Sequence, residues 1–291
     1  MKTKRSGRLV DMTYYMIQHP HELIPLTYFA ERYKSAKSSI SEDLGIIKQS
    51  LEEQGVGTLI TVAGAAGGVK YIPRLSKEEA SSFVNELCER FIKPDRLLPG
   101  GYLYLTDLLG NPKLVQQIGL MFASIFANRK IDVVMTVATK GIPLAYAVAN
   151  FLQVPVVIVR RDSKVTEGST VSINYVTGSS KRIQTMVLAR RSLEVGSNVL
   201  IIDDFMKAGG TINGMISLLD EFNAKVAGIG VLVESEDIEE RLVDEYYSLV
   251  RLSDVNVRDK SIEVIPGNYL NHYDQMTIIE GELEDENYPN E

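Results

Sequence analysis

Cysteine is almost missing from this chain of 291 residues. The single Cys88 rules out an internal disulfide and fits a reducing cytoplasm. It falls in the helical-looking SSFVNELCERF and reads as a packing residue. Histidine is scarce too: three in all, none clustered with cysteine, which argues against a zinc site. No apolar run approaches the roughly 18 residues that a bilayer crossing requires. The start, MKTKRSGRLVDMTYY, is basic, but Asp11 and two tyrosines interrupt it before a signal-peptide apolar segment can form. The expectation is therefore no membrane and no leader. Two phosphate signatures are absent as well. There is no G-x-x-x-x-G-K-[ST], no glycine followed by lysine, and no G-x-G-x-x-G. That excludes P-loop NTPases and the fingerprinted dinucleotide enzymes.

What remains is an ordinary globular composition, 45% hydrophobic and 24% charged, long for one domain and comfortable for two. The net charge of −7 is unevenly spread. Residues 1–73 carry 9 Lys+Arg against 7 Asp+Glu, the remainder 22 against 31. Lys2, Lys4, Arg5 and Arg8 open the chain without an acid, and six acids with no base close its last twelve residues. The pattern suggests a basic module on an acidic body, with a disordered acidic tail over 281–291.

In the first seventy residues, Arg8 to His19 reads as a helix with Leu9, Met12, Met16 and Ile17 near helical spacing, stopped by Pro20. Pro25 opens a second, LTYFAERY. A third follows, SSISEDLGIIKQSLEEQG, with Ile40, Leu44, Ile47 and Leu51 at steps of 4, 3 and 4. Ser39 and Glu42 have capping-box spacing, and Gly55 is a natural stop. TLITVAGAAGGVKYIP then reads as a hairpin. Three helices and a hairpin are the order of a winged helix-turn-helix, predicted over 1–73, whose third helix enters the major groove. With its apolar stripe inward, Lys37, Ser38, Ser41 and Lys48 lie on or beside the exposed face. Together with Lys2, Lys4, Arg5, Arg8 and Lys70 of the hairpin, they form the predicted DNA-contact set. A small helical protein-interaction module with a solvated face is the alternative.

The body, predicted over 74–280, alternates. IDVVMTVAT reads as a strand, IPLAYAVANFL as a helix, VPVVIVRR as a strand, NVLIIDDF as a strand, GGTINGMISLLDEF as a helix and KVAGIGVLVES as a strand. Continuous Val/Ile strands separated by helices predict a parallel sheet covered on both faces, with ligands at the strands' carboxyl ends. The loops after Val137, Val159 and Ile202 are then the places to look. After Val137 come Ala138, Thr139, Lys140 and Gly141, a hydroxyl, an ammonium and a glycine opening a helix, which makes an anion site. After Val159 come Arg160, Arg161 and a long polar segment, which is either functional or an inserted hairpin. After Ile202 runs DDFMKAGGT. Gly209, Gly210 and Thr211 suit a phosphate cradle. The adjacent Asp203 and Asp204 repel each other unless they serve a ligand, such as the 2′- and 3′-hydroxyls of a ribose 5-phosphate, with a divalent cation relieving the remaining charge. A plain strand end with capping acids is the bland alternative.

VLIIDDFMKAGGT is similar to the phosphoribosyl pyrophosphate (PRPP) motif of type I phosphoribosyltransferases. With RSGRLVDMTYY, SAKSSISEDL, LPGGY, VATKGIPLA and KVTEGSTVSINYV, the whole resembles the purine operon repressors of Gram-positive bacteria. The resemblance implies an α/β fold: an N-terminal winged helix-turn-helix plus a type I phosphoribosyltransferase-like domain with a parallel-sheet, Rossmann-like core. It implies a cytoplasmic homodimer that represses purine-synthesis genes on operator DNA and is released by PRPP, with Mg²⁺ accompanying the ligand. Guanine nucleotides such as ppGpp or GMP are implied in the same pocket. Carried over by motif, Asp203 and Asp204 hold the ribose, Lys207, Ala208, Gly209, Gly210 and Thr211 the 5′-phosphate, and Ala138 to Gly141 the pyrophosphate. Arg160 and Lys164 neutralise that pyrophosphate, and Met206 lies at the start of the phosphate loop. Tyr102 and Phe205 are either nucleobase platforms or core residues. Enzymes of the type carry a small hydroxyl residue early in this loop, where the present chain has Met206, Lys207 and Ala208. Binding without turnover is the expectation, with no catalytic residue and no catalytic cofactor. The alternative is an active purine phosphoribosyltransferase with an N-terminal assembly or RNA-binding module.

Overall fold

In a computed structural model, which describes residues 4–64, 67–98, 102–162, 168–176, 183–236, 240–256 and 261–276, the chain divides into two units, the second spanning Lys77–Asp274. Each is taken by itself.

The N-terminal unit contains helices α1 (Arg5–Gln18), α2 (Leu26–Tyr33) and α3 (Lys37–Glu53), then strands β1 (Gly57–Val62) and β2 (Gly68–Pro73). β1 and β2 pair antiparallel from Gly57↔Pro73 to Val62↔Gly68, the predicted hairpin. The stretch between α1 and α2 joins them: Ile24 and Val69 exchange two backbone hydrogen bonds of 2.9 Å. Ile40, Leu44, Ile47 and Leu51 are buried together with Met12, Met16 and Phe29, so the stripe predicted for α3 is its core face. Gly55, with φ 63, lies in the left-handed region just past the end of α3, as a helix stop requires.

Three details differ from the sequence reading. Helix α1 starts at Arg5, and its buried row is Arg8, Met12 and Met16, leaving Ile17 42% exposed. Ser39 caps nothing: α3 begins at Lys37 after an extended Ala36, which puts Ser39 inside the first turn rather than ahead of it. The third concerns Asp43, on the buried side of α3 with no exposed surface. Arg5 Nε donates to its Oδ1 at 2.9 Å and Arg8 Nε to its Oδ2, while Arg8 Nη1 donates to Ser35 Oγ at 3.0 Å. Arg8 is buried in this arrangement and does not face outward as a DNA contact. Arg5 keeps 54% of its side chain exposed.

The second unit opens with α4 (Lys77–Phe91), a short hairpin β3 (Leu97–Leu98) and β4 (Tyr102–Leu103), a single turn α5 (Thr106–Leu109), and α6 (Pro112–Ile125). Asn111 caps α6, its side-chain oxygen accepting from Leu114 N–H, and Pro112 occupies the first turn, where no N–H is needed. Next come β5 (Val133–Val137), α7 (Gly141–Leu152), β6 (Val156–Val159), β7 (Thr170–Val176), β8 (Ile183–Ala189), β9 (Asn198–Met206), α8 (Gly210–Asp220), β10 (Lys225–Ser235), β11 (Tyr247–Asn256) and β12 (Ser261–Pro266). The main sheet has the order β12-β11-β10-β9-β5-β6. All its pairings are parallel except that of the edge strand β12.

Both faces of the sheet are covered, which accounts for the unbroken apolar strands. Val199 and Ile201 of β9 pack with Ile212, Met215 and Leu218 of α8. On the other side Phe122 of α6 fills the space a side chain at Gly230 would need, beside Ile202. Gly119 lets α6 rest directly on Ala147 of α7. The long polar segment after β6 contains an antiparallel hairpin, β7–β8, tied to the chain by reciprocal backbone bonds between Arg160 and Val187. Strands β11 and β12 carry no signal that the sequence reading used. YSLVRLSDVN mixes charges and serines into its apolar positions because one edge of the sheet is closed by a half-exposed antiparallel strand.

Burial alone would raise the Asp43 carboxyl, but the hydrogen bonds and charges of Arg8 and Arg5 outweigh it and hold it below the ordinary carboxylate range. The stability it supplies is present above about pH 4 and is lost as pH falls through its lowered value. Asp43→Ala strands two guanidiniums, one of them buried, and is expected to cost the N-terminal unit about 3–5 kcal/mol at pH 7. Urea unfolding of wild type and variant at pH 7 and pH 3 checks this: the gap should be smaller at the second than at the first.

Candidate ligand site at the sheet's carboxyl edge

Strand β9 lies between β5 and β10, while the chain leaves β5 toward α7 and β6 on one side and leaves β9 toward α8 and β10 on the other. The connections diverge at the β5/β9 boundary, which opens a crevice outside the carboxyl ends of these two strands. Two loops meet there. Ala138 to Lys140 lead into α7, with a cis bond between Ala138 and Thr139, and Lys207 to Gly209 lead into α8.

Asp203 and Asp204 stand at the end of β9 between these loops. Asp203 is only 3% exposed, and its Oδ1 accepts the Asp204 N–H at 3.0 Å. The same oxygen lies 3.4 Å from where a side chain on Gly141 would begin, so the start of α7 presses directly on the aspartate. Thr136 Oγ1 faces the same point, buried and without a hydrogen-bond partner among the described residues. Burial first, and then the neighbouring Asp204 charge, raise Asp203 well above the usual carboxylate range, with Arg161 opposing. Asp204 is raised by burial and lowered in part by Lys140. Two carboxylates in this setting accept hydroxyl hydrogens or a cation far more readily than they sit bare.

The glycine loop is built to show its backbone. Gly209 precedes α8 with φ 86, in the left-handed region that glycine tolerates. Gly209 and Gly210 are buried, Thr211 is half-buried at the first turn of α8, and Lys207 is exposed. The amides here belong to the N-terminal, positive end of α8. Met206 and Ala208, named from the sequence as contacts, turn their side chains into the protein and can offer only backbone. Phe205 is half-buried at the crevice end of β9.

Sequence and structure place the remaining residues as follows. Thr139 and Lys140 are exposed, Ala138 is half-buried and Gly141 is buried, all at the mouth of α7. Arg160 is half-buried and its backbone is engaged with Val187, whereas Arg161 is the arginine whose charge reaches Asp203. The sequence reading chose Arg160. The available signal was strand parity, since Val157 and Val159 are buried at steps of two ahead of Arg161. Thr136 was missed because a threonine in an apolar strand looks like packing. Lys164 and the Tyr102 side chain lie outside the described residues, as does Lys2.

On the N-terminal unit, Lys37, Ser38 and Ser41 are exposed at the start of α3, and Lys4 is exposed just before α1. Lys48 is half-exposed, 4.0 Å from Glu52. Lys70 on β2 is half-buried, and burial lowers its pKa.

A carboxylate raised by burial stabilises the fold at low pH, and that contribution is lost as pH rises through its raised value. Asp203→Asn removes the charge that the ligand-free protein must accommodate. Its Tm at pH 7.5 should exceed wild type by about 2–4 °C, the shift that about 1 kcal/mol gives a domain of this size. The difference should narrow as pH falls and close below about pH 4, as the unfolded chain's carboxyl also becomes protonated. Thermal melts across this range test it; a lower Tm for the asparagine variant at pH 7.5 contradicts it.

Residues 4–73 match the family described as bacterial purine repressor, N-terminal, and residues 105–264 match the phosphoribosyl transferase domain. The chain is 68% identical, over 98% of its length and all of the relative's, to the purine biosynthesis transcriptional repressor PurR of Bacillus subtilis. It is 48% identical to the purine biosynthesis transcriptional activator PurR of Lactococcus lactis, covering 92% of this chain and 99% of that one. The xanthine phosphoribosyltransferase of Leuconostoc mesenteroides is 34% identical across 51% of this chain and 82% of its own. Among solved structures, adenine phosphoribosyltransferase from Giardia lamblia superposes with a TM-score of 0.52 at 24% identity, over 59% of this chain and 98% of that one, a likeness of fold. By these matches the chain belongs to the bacterial purine repressor family, in which a winged-helix DNA-binding module precedes a phosphoribosyl transferase domain.

Proposed function

We propose that this protein represses purine-synthesis genes as a cytoplasmic homodimer, holding operator DNA through α3 and the β1–β2 hairpin, and that PRPP relieves the repression. The observation that carries the reading is the Asp203–Asp204 pair, the first buried and the second half-buried, set between two helix-opening loops. The pair takes the ribose hydroxyls, the amides from Lys207 to Thr211 take the 5′-phosphate, and Thr139, Lys140 and Gly141 take the pyrophosphate. Asp203 and Asp204 would hold the Mg²⁺ that accompanies the ligand, and the ion would supply positive charge against the carboxylates and the pyrophosphate. Arg161 joins the set from the side of β6. Guanine nucleotides, ppGpp and GMP among them, compete for the same pocket, with Phe205 beside the base.

No turnover is part of this reading. Lys207 and Ala208 replace the small hydroxyl residue that the enzymes of the type place early in the loop, and transfer chemistry needs a positioned acceptor as well as bound PRPP. The second reading, an active phosphoribosyltransferase, is favoured by the likeness to the xanthine enzyme. Release of pyrophosphate from PRPP with adenine, guanine, hypoxanthine, xanthine, uracil or orotate decides between them. Turnover with any of these at ordinary enzyme rates promotes the enzyme.

Operator affinity, read by fluorescence anisotropy, should fall when PRPP and Mg²⁺ are added, and operator DNA should weaken PRPP binding by the same factor. Asp203→Ala should lose the response and keep its DNA affinity. An operator titration that is unmoved by saturating PRPP refutes the proposal. Lys37→Ala should weaken binding and make the salt dependence shallower by about 0.9 in the log–log slope, the loss of one phosphate contact. An unchanged slope means that α3 does not meet the backbone through Lys37.

A further inference from the structure

After β10 the chain turns back across the loop that follows β9. Leu242 N–H donates to Ala208 O at 2.9 Å. Val243 is buried, with Cγ2 2.9 Å from the position of a side chain on Gly209. Residues 240–246 thus lie as a strap against the turn that opens α8. The apolar contact and one hydrogen bond do not fix seven residues alone. Their anchor is Glu234.

Glu234 stands beside Met206, the last residue of β9, in the sheet register, and its side chain is buried. Its carboxylate accepts from Ser248 Oγ at 2.6 Å, from the Tyr246 hydroxyl and from Arg251 Nε at 3.0 Å. Arg241 approaches to 3.1 Å as an ion pair, donates from Nη2 to Ser235 O at 3.0 Å, and lies over the Tyr246 ring at 5.0 Å. Arg241 and Tyr246 sit near opposite ends of the strap and end on the same carboxylate. A buried ion network adds little stability over an apolar replacement, so its use is to specify one arrangement. Here the arrangement specified is that of the strap, and through Leu242 and Val243 that of Ala208 and Gly209.

We propose that Glu234 and Arg241 are positioning residues for the sugar 5-phosphate: they fasten the 240–246 strap across the glycine loop and so keep its amides aimed at the phosphate. This deepens, and rests on, the reading of Asp203 to Thr211 as a PRPP site. Arg241 is partly exposed, so Arg241→Met folds more safely than any change at the buried Glu234, and Arg241→Lys restores the charge without the fork.

In the full-length protein without ligand, hydrogen exchange of the amides from Lys207 to Asn213 should run faster in Arg241→Met than in wild type. Calorimetric affinity for ribose 5-phosphate should fall about tenfold or more, the cost of a displaced site group. Affinity for inorganic pyrophosphate with Mg²⁺, held by the other loop, should stay within about twofold, and Arg241→Lys should recover part of the ribose 5-phosphate loss. Exchange at the wild-type rate overturns the proposal, and so does an equal loss for both ligands, which marks general destabilisation. If wild type itself ignores ribose 5-phosphate, the PRPP reading fails instead, and the exchange rates of the two variants then decide the strap by themselves.

Discussion

Burying one carboxyl next to another makes its ionisation expensive, and the second unit is organised around such a pair. Asp203 sits where β9 ends, almost without solvent, its own charge disfavoured by burial and by Asp204. Everything adjacent moderates that cost. The Asp204 amide donates to it, Lys140 acts on Asp204 from the loop before α7, and Arg161 acts from the end of β6. These groups come from three different crossover connections, and only a parallel sheet with a switch point between β5 and β9 brings them to one place. The fold therefore explains why the pair is tolerable.

Both units use a buried carboxylate to set the angle of a working element. Asp43 collects Arg5 and Arg8 and fixes α1 against α3. Glu234 collects Ser248, Tyr246, Arg251 and Arg241 and fixes the segment behind the glycine loop. In each case the hydrogen bonds and charges overcome burial and keep the acid in its charged form. Asp203 and Asp204 are the opposite case, raised rather than lowered, their partners among the described residues not offsetting burial. That contrast separates structural acids from a ligand-facing one on physical grounds alone.

Much of this was legible beforehand, for a reason that differs from element to element. The stripe Ile40, Leu44, Ile47 and Leu51 could be read because α3 has one apolar face and the helical period is unambiguous. Strands β5, β6, β9 and β10 could be read because sheets covered on both sides leave continuous Val/Ile runs. Asp203, Asp204 and the glycines stood out because adjacent acids ahead of a glycine pair are a costly combination, and the structure sets them at the carboxyl end of β9. What escaped depended on long-range partners. Arg8 looked like a surface cation until Asp43, 35 residues away, was found beneath it. The preference for Arg160 over Arg161 turned on where β6 ends. Ser39 and Glu42 matched a cap motif by spacing, but α3 begins at Lys37, ahead of them both. Glu234 and its companions gave no signal at all, since a glutamate after the uncharged run from Val226 to Val233 reads as the first residue of a loop.

The missing side chain at Gly119 has a consequence for how the crevice communicates. With α6 seated directly on Ala147, the two helices form a single plate rather than two rods separated by a cushion of side chains. The loop from Thr139 to Lys140 is the rim of that plate, since Gly141 begins α7. Close-packed interiors pass a displacement on instead of absorbing it. A displacement at that rim therefore acts on both helices together and not on one turn alone.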